Sequence, residues 1–161
     1  MIKHLFSNIV VAVSGSDASI LAAKYAVVLT KLYHCKLSAV YVIDTATIKQ
    51  LTLSKIFIQE ESQEYEKSLE ANGERYLSFV EELARAKGVK IDREMRRGAI
   101  YTEILNAADE RKADLILLGG WEKDRNARDI ITHAHREIMI SAKCSVLLVK
   151  EPSIDQLYKQ A

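Results

Sequence analysis

The chain has 161 residues, of which 48% are hydrophobic and 28% charged, and a formal net charge of +1. That size suits one compact core, and the composition excludes a disordered chain. A charge so close to zero argues against a duplex nucleic-acid binder, which gathers basic residues to neutralise phosphates. No segment approaches the roughly 20 apolar residues that cross a bilayer, so a cytoplasmic protein with no membrane partner is expected. Cys35 and Cys144 stand apart, with no CxxC and no histidine-rich neighbourhood, which predicts inert buried thiols and no metal site.

Residues 8–13 form a short β-rich apolar run that ends in the turn cluster Ser14-Gly15-Ser16-Asp17, a strand feeding a helix. Along residues 18–34, Leu21, Tyr25, Val28, Leu29 and Leu32 recur at helical spacing and predict one apolar face. Residues 36–43 then read as a second strand, which closes a βαβ unit. Residues 44–53 show no clean period and are expected to form an irregular connection. Residues 54–87, rich in Glu, Lys, Leu and Ala, predict one long helix or two with a break near Asn72-Gly73, and Gly88 supplies a stop.

Residues 89–96 alternate apolar and polar positions, as a strand near a sheet edge does. A helix over 100–112 leads into the continuous apolar run of residues 114–118, bounded by Gly119-Gly120. After a polar loop come a helix over 130–142 and a last strand, Ser145 to Val149. Strands alternating with helices imply an α/β fold with a mostly parallel sheet covered on both faces. The domain is expected to span 1–150. Residues 151–161, after the single proline Pro152, form either a frayed tail or a short helix docked through Ile154, Leu157 and Tyr158.

Three stretches together resemble the universal stress protein family: residues 9–19, the centre from Arg97-Gly98-Ala99 to Gly119-Gly120, and residues 142–149. The resemblance implies a Rossmann-like fold of the adenine nucleotide alpha hydrolase type, with five parallel strands in order 3-2-1-4-5 between helices. It also implies a homodimer formed through the last strand, Ser145 to Val149, where pairing would cover an apolar edge. With that strand order, Cys35 and Cys144 would lie about 14 Å apart and could not pair within one chain.

Nucleotide-binding members of the family carry, after strand four, a loop of the pattern Gly, two residues, Gly, nine residues, Gly, then Ser or Thr. Glycines let backbone N–H groups approach phosphate oxygens. On this chain the four positions fall on Gly119, Glu122, Thr132 and His133, so only the first is kept. A Glu122 carboxylate at ~4 Å from a phosphate would repel it by roughly 4 kcal/mol at an effective dielectric of ~20. Ser14 replaces the Asp usual after strand one, and Val42 occupies the adenine-side position, where core packing is the simpler role.

Lys123, Arg125, Arg128, His133, His135 and Arg136 either rebuild an anion site or form a solvated loop with Glu122, Asp124 and Asp129. Trp121 either stacks on a base or packs as a half-buried aromatic. Ser14-Gly15-Ser16 is not a GxSxG elbow, and no paired nucleophile and base is indicated. The resemblance therefore implies a non-enzymatic stress-response module with a degenerate ATP-binding motif and no required cofactor. The alternatives are a member that binds ATP, ADP or AMP in a rebuilt pocket, with weak ATP hydrolysis, and a small enzyme acting on another anion.

Overall fold

The computed structural model describes residues 3–120 and 133–161. Five strands alternate with helices: β1 (Asn8–Val13), α1 (Asp17–Tyr33), β2 (Lys36–Asp44), α2 (Thr45–Leu53), α3 (Gln59–Arg85), β3 (Ile91–Gly98), α4 (Ile100–Glu110), β4 (Leu115–Gly119), α5 (His133–Ser141), β5 (Ser145–Val149) and α6 (Ile154–Gln160). All four pairings are parallel and the order is β3-β2-β1-β4-β5. This is the strand order implied by the resemblance.

Alternation along the central strands divides the core in two. Ile9, Val11 and Val13 point to the layer of α1 and α3, whereas Val10 joins Val40, Ile116, Ile104 and Ile138 under α4 and α5. Because β1, β2 and β4 are covered on both faces, they read as near-continuous apolar runs. Edge strand β3 instead carries charge: Arg96 and Arg111 both bond the Glu94 carboxylate, at 2.6 and 2.7 Å. Charges on an edge discourage pairing with another chain.

Several expectations are corrected. Residues 45–53 are helical, because the Asp44 side chain accepts the Thr47 N–H at 3.0 Å and caps α2. Only Ile48 of that helix is buried, so the sequence carries no apolar stripe to betray it. On α1 the buried side is Ser19, Ala22, Ala23, Ala26, Val27 and Thr30, while Leu32 is exposed. Small residues win that face because the helix lies close to the sheet: a Cβ on Gly119 would come within 2.7 Å of the Ala18 carbonyl carbon. Helix α3 begins at Gln59 and runs through Gly73 without a break. The start of the last long helix, expected at Ile130, lies outside the described residues.

Residues 151–161 are docked. Ile154 is buried, Lys24 reaches Asp155 at 2.6 Å, and the Tyr158 hydroxyl donates to the Leu83 carbonyl at 2.6 Å. That carbonyl belongs to the last turn of α3, where helix geometry leaves acceptors without a partner. Both cysteines are free and half-buried rather than fully enclosed. They precede β2 and β5, with β1 and β4 between them. Burial pushes both thiols above the ordinary cysteine range. Among the described residues, no helix is long and apolar enough to cross a membrane.

Candidate functional site

Chain connectivity reverses between β1 and β4: from β1 the sheet grows to β2 on one side, and β4 lies on the other. The helices that follow these two strands leave to opposite faces, which opens a crevice at their carboxyl ends. A cleft of about 450 Å³ occupies this place. Ser14 and Ser16 come from the turn after β1, Val42 and Asp44 from the end of β2, and Gly119 and Gly120 from the end of β4. Tyr65 and Leu69 of α3 form one wall, and Ile100, Ile104 and Ile138 another. The lining is thus largely apolar with a hydroxyl-rich edge, the usual make-up of a small-molecule site.

The β1–α1 turn is closed on itself. The Ser16 hydroxyl accepts the Ser19 N–H at 3.1 Å and caps α1, and the Ser19 hydroxyl accepts the Ser14 N–H at 2.6 Å. The Ser14 hydroxyl lies 3.0 Å from that of Ser16 and accepts the Ser16 N–H at 3.3 Å. At the end of β4 the Gly120 N–H donates to the Val149 carbonyl at 2.9 Å. Four backbone donors that could have cradled a phosphate, the N–H groups of Ser14, Ser16, Ser19 and Gly120, are therefore already engaged. Gly119 and Gly120 are required by packing in any case, since a Cβ on either would collide with backbone of Ala18 or Val149.

The charged groups follow the same trend. Among the described residues, no Lys or Arg lines the cleft, and Asp44 places a carboxylate at its rim. Its two oxygens accept the Thr47 N–H and hydroxyl at 3.0 and 2.7 Å. His135 lines the cleft too, and burial pushes its pKa below the ordinary histidine value, which favours a neutral ring. Among the described residues, no group of three or more metal-ligating side chains occurs.

Of the positions singled out in the sequence, Ser14, Val42 and Gly119 come together in the cleft. His133 does not line it; its ring stands edge-on to Tyr101 at 5.6 Å. Glu122 and Thr132 lie outside the described residues, as do Trp121, Lys123, Arg125 and Arg128. Arg136 is exposed and does not line the cleft. Sequence reasoning missed Asp44, Thr47 and Tyr65. An acidic residue directly after the apolar run of β2 was the available signal for Asp44, since acidic groups at that place bond ribose hydroxyls in dinucleotide-binding sheets.

Residues 5–150 match the model of the universal stress protein family. The chain belongs to the universal stress protein family. A universal stress protein of Methanocaldococcus jannaschii is 33% identical over 150 residues, covering 93% of this chain and 85% of the relative. The universal stress protein UspA from Lactobacillus plantarum shares the fold with a TM-score of 0.77 at 21% identity, covering 92% of this chain and 100% of that one. So does a universal stress protein from Archaeoglobus fulgidus in complex with dAMP, with a TM-score of 0.63 at 17% identity over 91% of this chain and 100% of that one. The five-stranded parallel sheet flanked by helices is thus shared with structures of universal stress proteins.

Proposed function

We propose that the chain is a non-enzymatic regulatory module of the universal stress protein family, whose cleft receives adenosine or AMP and grips ATP poorly. The observation that carries this reading is the mismatch between the two requirements of a nucleotide. The apolar walls and the hydroxyl edge suit a base and a ribose. A phosphate chain would meet engaged N–H donors, a carboxylate and no lining cation among the described residues. The dAMP complex of the Archaeoglobus relative supports an adenine ligand with a single phosphate.

Calorimetry with adenosine, AMP, ADP and ATP, each with and without magnesium, tests the reading. Affinity is expected to fall as phosphates are added. Tighter binding of ATP than of AMP would reject it, and no binding by any of the four at millimolar concentration would leave a module that acts through protein contacts alone.

The module is proposed to work as a homodimer. Strand β5 is a sheet edge whose Val146, Leu147 and Leu148 are only half-buried, and pairing with a second copy across a two-fold axis would cover it. Light scattering at high protein concentration should give twice the chain mass; a monomer mass would reject the dimer.

A further inference from the structure

The corner where α2 meets α3 displays large apolar side chains together. Leu53, Ile56 and Ile58 are 74%, 65% and 58% exposed, and Tyr65, in the second turn of α3, is 45% exposed. Scattered exposed leucines are ordinary, but a contiguous apolar group on a surface marks a contact site.

The corner is held in shape from beneath. Lys55 adopts a left-handed conformation, φ 59°, which turns the chain out of α2. The Ile56 and Phe57 N–H groups then both donate to the Leu51 carbonyl, at 2.9 and 3.2 Å. The Thr52 and Ser62 hydroxyls meet at 2.5 Å and tie the two helices together, while Phe57 stands edge-on to Tyr65 at 5.7 Å. One of these hydroxyls donates to the other, and the second keeps its proton for its own helix, where Thr52 lies 2.9 Å from the Ile48 carbonyl and Ser62 3.1 Å from the Ile58 carbonyl. The apolar side chains therefore stay outside without a conformational cost at the moment of contact.

The rim carries one dominant sign. Glu60, Glu61 and Glu64 are exposed on the first turns of α3, directly after the patch, and Lys55 is the one basic residue between Leu53 and Glu66. We infer that this corner is a docking surface for a basic, amphipathic helical segment of a partner protein. Apolar side chains of such a segment would cover Leu53, Ile56 and Ile58, and its Lys or Arg residues would meet the three glutamates. The same glutamates disfavour two other occupants. A second copy would bring its own acidic row against this one, and an anionic lipid surface would be repelled.

The test uses the full chain and a labelled amphipathic helical peptide of leucine and lysine. Binding should shift the backbone amide resonances of residues 53–65, and the Ile56→Asp/Ile58→Asp variant should weaken it about tenfold or more, the loss expected when anchors of a contact are replaced. The Glu60→Lys/Glu61→Lys/Glu64→Lys variant changes only exposed side chains and should invert the preference toward a peptide of leucine and glutamate. Equal binding of both peptides to the unaltered chain, or shifts centred elsewhere, would overturn the inference. So would tight binding to phosphatidylserine vesicles, or a halved molar mass in the Ile56→Asp/Ile58→Asp variant.

Discussion

The ring of Tyr41 occupies the space that a side chain at Gly73 would need: a Cβ there would lie 2.6 Å from two ring atoms. Tyr41 is buried at the end of β2 and lines the cleft, so the middle of α3 is brought against the site by an absent side chain. In an exposed helix, replacing glycine by alanine gains about 1 kcal/mol. Here overpacking should cost about 1–3 kcal/mol, so Gly73→Ala is expected to be neutral to destabilising by about 2 kcal/mol in urea unfolding. In a Tyr41→Ala background the same change should turn stabilising, and a double-mutant cycle would measure the coupling.

Gly119→Ala should destabilise the fold with or without any ligand. The added Cβ would meet the Ala18 carbonyl carbon and oxygen at 2.7 and 2.8 Å and the Ser19 nitrogen at 2.8 Å, all of them backbone atoms that cannot rotate away. A loss of about 1–3 kcal/mol, read from the denaturation midpoint, is expected. An unchanged midpoint together with lost nucleotide binding would instead assign Gly119 a role toward phosphate.

Tyr158 closes the C-terminal end of α3 through the Leu83 carbonyl. Tyr158→Phe leaves that acceptor unpaired and should cost about 1 kcal/mol. Burial also raises the Tyr158 pKa above the ordinary tyrosine value. Its contribution is therefore complete below pH 10, the unfolded value, and declines as pH rises through the higher folded value. The alkaline loss of stability should be shallower in Tyr158→Phe than in the unaltered chain.

His135 acts at the other end of the pH scale. Its folded pKa lies below the ordinary value of 6.5 because burial disfavours the imidazolium. Above 6.5 the ring is neutral in both states and the full stability is present. As pH falls below 6.5, the unfolded chain takes up a proton that the folded chain resists, and stability drops until the folded pKa is passed. His135→Gln should flatten the acid limb of a melting-temperature profile; an unchanged acid limb in that variant would reject the assignment.

Strand positions and fold class were legible in the chain, because strands covered on both faces must be continuous apolar runs, and β1, β2, β4 and β5 are short enough to stand out. The carboxyl-end crevice with Ser14, Val42 and Gly119 was legible through the family pattern. Helix α2 was not, since it buries Ile48 alone and is started by one capping contact from Asp44. The inner face of α1 was legible in part: Tyr25 and Leu29 of the expected apolar face pack against the core, but Leu32 is exposed and the fully covered positions are Ala22, Ala23, Ala26 and Val27.

The sequence by itself determined the alternation of strands and helices, since apolar periodicity is a local property of neighbouring residues. Tertiary structure alone decided which of the candidate groups share one site. Asp44 and Tyr65 are 21 positions apart yet line the same cleft, while His133 and His135, two apart, part company. The reason is geometric: the direction in which a side chain points depends on where its helix is laid on the sheet, and that placement is set by packing contacts between segments distant in the chain.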